Sequence, residues 1–275
     1  MKKILTILFV IFSFVIIFSE ILEIHFIDVG QGDAIFINHP DFKMLIDAGD
    51  RFSPVSNYLA SLGIEEIDIV VATHPHADHI AGLVSVLRRF EVKEVFDSGL
   101  PYTTVTFQNY LLTIYERKIE FTEARAGMHR DISENFYFEI LHPSDPLLPK
   151  VNDVSIVIRM VYDEVSFLFM GDAETSSEYE IMERYDDITS NVIKIGHHGS
   201  RTSSREEFLI SVSPEIAVVQ CGLNNRYGHP HTETIQTLEK FEIPYYITAN
   251  HGTIIMITDG KTIEIETEKI EETVE

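Results

Sequence analysis

One stretch constrains this chain more than any other: Ile67-Asp68-Ile69-Val70-Val71-Ala72, running directly into Thr73-His74-Pro75-His76-Ala77-Asp78-His79. The first part is short and dominated by β-branched residues, the pattern of a strand buried on both faces. At its C-terminal end stand three imidazoles and a carboxylate. These groups are the ligand set of zinc, and also of manganese or iron. On an extended turn, residues two apart converge on one ion, so His74 and His76 would face a first cation. Asp78 and His79, carried round by the start of a helix, would face a second. A solvated polar loop explains the polarity of this segment but not its order behind a buried strand.

A two-metal site needs ligands from other strand ends, where open α/β sheets place them. Asp172, after Phe169-Met170-Gly171, is placed to bridge two cations. His197-His198-Gly199-Ser200 follows another apolar run, and His142 closes a third. Singly, each would read as a capping or surface residue; their repetition at strand ends argues for a site.

Around these points, strands are predicted at Ile24–Val29, Ala34–Asn38, Lys43–Ile46, Phe136–Leu141, Val154–Tyr162, Val165–Met170, Val192–Ile195, Ile216–Gln220, Tyr245–Thr248 and Thr253–Ile257. Helices are predicted at Ser56–Leu62, Ile80–Phe90, Phe107–Arg117, near Arg205–Ser211 and at Thr232–Phe241. The acidic tail from Glu264 is expected to have little to bury. No linker or repeat divides the chain, so residues 21–275 read as one mixed α/β domain. At 45% apolar and 24% charged, the 275 residues suit a globular protein. The single cysteine, Cys221, excludes an internal disulfide framework and a Cys-rich zinc knuckle. It reads as a small core residue. A net charge of −23 argues against a nonspecific duplex-DNA clamp, although bound cations would offset it locally.

Residues 1–20 are a separate object. Met1-Lys2-Lys3 precedes an uncharged apolar run, Ile4 to Phe18. In a helix this run spans roughly 22 Å, short for a hydrocarbon core of ~30 Å. A signal peptide is favoured over a span, with an uncleaved membrane anchor as the alternative. The remainder is expected to be exported, periplasmic or extracellular, and to touch membrane only through this segment.

The His74-x-His76-x-Asp78-His79 motif, the Gly171-Asp172 pair and the later histidine resemble the metallo-β-lactamase superfamily. Ile27-Asp28-Val29-Gly30-Gln31-Gly32-Asp33-Ala34, Leu45-Ile46-Asp47-Ala48-Gly49 and Asn152-Asp153-Val154-Ser155 are similar to the hydrolase-like domain of the ComEC DNA-uptake proteins. So are Ile195-Gly196-His197-His198-Gly199-Ser200-Arg201-Thr202-Ser203 and Tyr227-Gly228-His229-Pro230-His231. The match runs from about Glu23 to Asp259 and does not include the membrane-channel half, so DNA translocation is not implied. The domain is also similar to a bacterial surface phosphorylcholine esterase and other exported phosphoesterases.

The resemblance implies an αββα four-layer sandwich with the site along one edge of two sheets. Carried over by position, His74, His76 and His142 would hold the first metal. Asp78, His79 and His198 would hold the second, with Asp172 bridging and His197 lining the substrate side. Asp28 and Asp33 either cap their own turns or orient the histidines. Asn152, Asp153 and Ser155 either shape a turn or belong to the site, and His229 and His231 fall at the pocket rim. His25, His39, His129 and His251 read as structural.

Two cations roughly 3.5–4 Å apart generate a bridging hydroxide and polarise a phosphoryl or carbonyl oxygen. Asp78 and Asp172 would hold them, His197 or His231 would protonate the leaving group, and Ser200 reads as a positioning group rather than a nucleophile. The expected function is a dinuclear hydrolase with zinc, or alternatively manganese. It would act on a small-molecule or polymeric phosphodiester, with single-stranded nucleic acid among the candidates. Arg201, Arg205 and Arg226 are the local cations for an anionic substrate. Hydrolysis of a C–N or thioester bond, and a metal-bearing binding module without turnover, are the rival readings.

Overall fold

A computed structural model describes residues 20–269 of the protein; the expected signal or anchor segment, save Glu20, lies outside the described residues. In chain order the first half forms β1 (Leu22–Phe26), β2 (Ile35–His39), β3 (Phe42–Ile46), α1 (Val55–Ser61), β4 (Glu66–Ala72), α2 (Ala77–Ile80), α3 (Leu83–Arg89), β5 (Glu91–Asp97), α4 (Val105–Arg117) and β6 (Glu120–Glu123). The second forms β7 (His129–Ser133), β8 (Phe136–His142), β9 (Val157–Tyr162), β10 (Val165–Phe169), α5 (Thr175–Arg184), β11 (Val192–Lys194), α6 (Glu206–Val212), β12 (Ile216–Val219), α7 (Thr232–Lys240), β13 (Tyr245–Ile247) and α8 (Thr248–His251). Then β14 (Ile254–Thr258) and β15 (Ile263–Thr267) return to the first sheet.

Among the described residues these make an eight-stranded sheet, β15-β14-β1-β2-β3-β4-β5-β6, and a seven-stranded sheet, β13-β12-β11-β10-β9-β8-β7. Each half repeats one plan. Antiparallel β1-β2-β3 continues into parallel β4-β5-β6. Antiparallel β8-β9-β10 continues into parallel β11-β12-β13.

Alternation along the strands divides their side chains between three cores. Ile24, Met44 and Val71 meet Phe138, Met160 and Phe167 between the sheets. On the outer face of the first sheet, Phe36, Leu45 and Val70 pack with Leu83, Val86 and Tyr110 of α3 and α4. On the outer face of the second, Leu168 and Ile193 pack with Ile181, Leu209 and Leu238 of α5, α6 and α7. The layers therefore run helix, sheet, sheet, helix. Cys221 is buried in this last core, and burial pushes its thiol up to about 12, consistent with a packing role.

Two expectations are corrected. The helix predicted over Ile80–Phe90 is divided at Ala81-Gly82, because the Gly82 N–H donates to the Gly49 carbonyl at 3.0 Å and leaves the helical ladder. The acidic tail begins as β15, pairing antiparallel with β14. Its Ile263 and Ile265 alternate with glutamates and pack against the inter-sheet core. No helix of the described residues is long and apolar enough to cross a membrane.

Candidate metal centre

The turn after β4 is organised by Asp47, which follows β3, the parallel neighbour of β4. Asp47 accepts the Thr73 N–H at 2.9 Å, the Thr73 hydroxyl at 2.6 Å and the His79 Nδ1–H at 2.7 Å. With its proton given to Asp47, the Thr73 oxygen faces His74 Nδ1 as an acceptor at 3.2 Å. His74 and His79 thus keep their ring protons on Nδ1 and present lone pairs on Nε2. His76 caps α2 in an extended conformation, with its Nδ1 3.0 Å from His74 Nε2. Asp78 and His79 occupy the first turn of α2. Gly32 packs on this turn at φ +136°, where a Cβ would lie 2.2 Å from the Asp78 carbonyl oxygen.

From the second half, Asp172 follows β10 and its N–H donates to Ser155 Oγ at 3.1 Å. Its Oδ1 lies 3.3 Å from His79 Nε2 and 3.4 Å from His198 Nε2. Its Oδ2 lies 3.5 Å from His74 Nε2 and 3.8 Å from His197 Nε2. One buried carboxylate thus faces a different set of histidines with each oxygen, and Asp78 Oδ2 joins the first set, 3.7 Å from His198 Nε2. His197 and His198 are consecutive left-handed residues, φ 46° and 54°. This conformation costs roughly 1–2 kcal/mol per residue. It lets neighbouring side chains both approach Asp172, where a strand would send them to opposite faces.

Behind His198, Nδ1 donates to the Gln220 carbonyl at 3.0 Å and lies 3.2 Å from Asp33 Oδ1. Asp33 is paired with the fully buried Lys194, whose ammonium also donates to the Gly171 carbonyl at 2.9 Å. Burial pushes the Asp33 carboxyl up; Lys194 and His198 more than reverse this and hold it below its usual range. Behind His197, Glu174 Oε1 lies 3.1 Å from Nδ1. The His197 hydrogen bond is the main cause holding the Glu174 carboxyl down at about 2.

The arrangement fits metal. Asp33, His79, Asp172 and His198 form one group of convergent donor atoms, and His74, His76 and Asp172 another. Nε2 of His79, Nε2 of His198 and Oδ1 of Asp172 are buried without a hydrogen-bond partner, a cost of roughly 1–3 kcal/mol each that a cation would remove. Donors bound about 2.1 Å from a tetrahedral ion lie roughly 3.4 Å apart, close to the spacing around Asp172. Burial opposes charge on His198, but Asp172 and Asp33 outweigh it and raise its imidazole to about 9. The same negative field favours a cation. A third group, Glu20, His39 and Asp41, is less suited: His39 Nδ1 accepts the Asp41 N–H at 3.2 Å, which puts the ring proton on Nε2, the atom facing Glu20.

The remaining expected residues divide. His142 lies outside both groups: Nδ1 donates to the Ser155 carbonyl at 3.0 Å, and Nε2 is 3.3 Å from Glu180. Asp28 caps the Gly30 N–H at 3.0 Å and faces Lys269. Asn152 reaches the His197 ring at 3.4 Å. Asp153 receives the Glu174 N–H and the Ser177 hydroxyl at the start of α5. Ser200 bonds Thr202 Oγ1 at 2.9 Å within its own turn. His229 packs between His197, His198 and Tyr227 and lines, with Gln31, Asp78 and Arg226, a cavity of about 300 Å³ over the ligands. Burial, then the neighbouring histidines, hold its imidazole down at about 4. His231 caps α7, and its Nδ1 accepts the Arg201 N–H at 3.1 Å. Sequence reasoning passed over Lys194 and Glu174. Asp47 stands in the Leu45-Ile46-Asp47-Ala48-Gly49 motif, and its place at the end of a strand parallel to β4 is the signal for its role.

Comparison with known proteins agrees with this geometry. Residues 27–222 match the family model of the metallo-beta-lactamase superfamily. The chain is 30% identical over 269 residues to ComE operon protein 3 of Bacillus subtilis, covering 90% of this chain and 34% of that one. It is 31% identical over 215 residues to competence protein ComA of Neisseria gonorrhoeae, covering 76% and 28%. The chain thus spans about a third of the length of the curated relatives it matches. The metallo-beta-lactamase fold protein YhfI of Bacillus subtilis superposes with a TM-score of 0.59 at 10% identity, over 87% of this chain and 100% of that one. With the match to the family model covering most of the two-sheet core and all the ligands that converge on Asp172, this chain belongs to the metallo-beta-lactamase superfamily.

Proposed function

We propose that this protein is an exported, dinuclear metal-dependent phosphodiesterase. The observation that carries the reading is Asp172, whose two carboxylate oxygens face separate histidine groups. His74, His76 and Asp172 would hold one divalent ion, with His197 beside them. Asp78, His79, His198 and Asp172 would hold the other. The all-imidazole and carboxylate donor set suits zinc first and manganese second. Such ions polarise a phosphoryl oxygen and activate water at neutral pH.

The protein's own groups have separable tasks. Asp47 and Asp33 keep His74, His79 and His198 in the tautomer that offers Nε2. Because His231 Nδ1 accepts from Arg201, its ring proton sits on Nε2, and His231 is assigned a hydrogen bond to the leaving-group oxygen. Arg201 and Arg205 are engaged with Glu233 and Glu207. The net charge of −23 favours a small or single-stranded substrate over duplex nucleic acid. The apolar run Ile4 to Phe18 supports export or anchoring.

Elemental analysis of protein purified without chelator, with turnover of bis-p-nitrophenyl phosphate measured beside a chromogenic lactam, tests the reading. About two metals per chain and phosphodiester turnover are expected. Lactam turnover alone would replace it with C–N hydrolysis, and two metals without turnover would favour a binding module. Absence of metal would sink the centre itself.

A further inference from the structure

The two outer helix layers differ in charge. Helices α3 and α4, over the first sheet, carry three arginines and one glutamate. Helices α5, α6 and α7, over the second, carry seven glutamates against one arginine and one lysine. In a chain of net charge −23, the first layer is the side that an anionic surface repels least.

Two cations of this side are free for a ligand. A cavity of about 260 Å³ is lined by Arg51, Ala81, Val84, Arg88, Thr106 and Asn109, with no carboxylate among them. Arg89 is used within the fold, donating to the Ser56 carbonyl at 3.0 Å and to Asn57 Oδ1 at 2.9 Å. Arg51 and Arg88 make no ion pair among the described residues, and Arg51 lies 5.2 Å over the Phe52 ring. Two guanidinium groups beside a hydroxyl and an amide suit a phosphate.

The rim of the cavity is apolar. Phe52, Val105 and Leu112 are 82%, 71% and 50% exposed. In α4, Phe107, Tyr110 and Ile114 are buried against the first sheet. Val105 and Leu112, seven residues apart, stand on the opposite side of the helix, where polar side chains are the ordinary choice. Gln108 and Glu116 share that side, and Tyr115, one turn beyond Leu112, is exposed as well.

Cations set among exposed aromatic and aliphatic side chains match the boundary of a bilayer, where apolar groups enter the acyl region and basic groups meet anionic headgroups. The apolar groups project from a convex helix face and offer no groove for a peptide's own anchors. The run Ile4 to Phe18, outside the described residues, is expected to bring the chain to a membrane. We propose that the outer face of α3 and α4 docks on an anionic phospholipid surface, with Phe52, Val105 and Leu112 entering the interface and Arg51 and Arg88 holding a headgroup phosphate. None of these residues is assigned to the metals, so docking and metal binding are separable.

A chain beginning at Glu20 retains every described strand and helix and takes the N-terminal run out of the measurement. Sedimentation with vesicles of phosphatidylglycerol and phosphatidylcholine in equal parts, at about 0.1 M salt, should carry it down; phosphatidylcholine alone should carry down much less. Arg51→Gln with Arg88→Gln should weaken binding roughly 30-fold, the effect of two basic residues at an anionic surface. Phe52→Ser with Leu112→Ser should weaken it at least about tenfold. Arg184→Gln with Lys240→Gln, on the second layer, should leave it unchanged. All six side chains are exposed, so circular dichroism should be unaltered in each variant. No sedimentation with either vesicle, equal sedimentation with both, or binding indifferent to the first-layer substitutions would overturn the proposal. A dimer in gel filtration that Phe52→Ser with Leu112→Ser dissociates would overturn it in favour of a second copy of the chain.

Discussion

The two halves of the molecule build the same scaffold, three antiparallel strands continuing into three parallel ones, yet they equip the centre by different means. The first half concentrates His74, His76, Asp78 and His79 in one turn and helix start, oriented from behind by a single carboxylate, Asp47. The second half draws Asp172, His197 and His198 from two strand ends. They are oriented by a buried ion pair that crosses between the halves, Lys194 with Asp33 of the β1–β2 turn, and by two consecutive left-handed residues. Local chain geometry does in the first half what tertiary contacts must do in the second. The second half should therefore be the more fragile under substitution.

Asp172→Asn is the largest test, because that carboxylate serves both halves. Metal should be lost from both groups and turnover should fall by more than the roughly 100-fold seen for residues one contact further from a metal, with circular dichroism unchanged. Retained metal and turnover would remove the shared-ligand role. Next comes Lys194→Met, which strands Asp33 in the interior and should cost about 3–5 kcal/mol in denaturant unfolding. Combining it with Asp33→Asn should restore most of that stability without restoring metal affinity, since His198 would still lack its charged partner. If the double variant binds metal normally, the pair only packs. Asp47→Asn, the first-half counterpart, leaves the buried His79 its other carboxylate partner, Asp172. It should weaken metal binding by roughly 10–100-fold while unfolding at nearly the wild-type denaturant concentration. A stability loss as large as that of Lys194→Met would erase the contrast between the halves.

The same contrast explains what could be read from sequence. The motif from His74 to His79 was legible because its ligands are contiguous and follow an apolar strand. Asp172 was legible as a strand-end carboxylate, and the layers followed from the family resemblance. Lys194 was not, since a lysine in a three-residue strand gives no sign that its ammonium lies between Asp33 and Gly171. The approach of both His197 and His198 to Asp172 depends on backbone angles that no side-chain pattern signals. Nor does His142 announce that its ring turns to Ser155 and Glu180. The polar strands β6 and β7, and the hydrophilic helix α5, escaped because edge strands and exposed helix faces carry little hydrophobic period. In β5, Val92, Val95 and Phe96 are buried among charged neighbours, and that broken alternation hid a strand.

A smaller effect probes the second half alone. Asp47 touches His79, so its titration is inseparable from metal binding, but Glu178 stands apart from the ligands. It lies in α5 and accepts the Ser204 and Arg205 N–H groups, tying down the turn that follows His197 to Ser200. Burial pushes its carboxyl up to about 7, with Asp153 adding to the rise and the two N–H groups and Arg205 opposing it. The folded state therefore holds this proton up to about pH 7, while the unfolded chain releases it near 4.5. A raised acid makes the unfolded state the weaker proton binder between those values, so its contribution to stability falls as pH rises through the window. From pH 5.5 to 7 the loss amounts to roughly 1.5 kcal/mol. Glu178→Gln keeps an acceptor for the two N–H groups and cannot ionise. Urea unfolding of the metal-free protein should then show a pH slope in the wild type that is flatter in the variant over this window. An identical slope in both would mean that Glu178 is ionised in the folded protein and that the turn is held by a charged carboxylate after all.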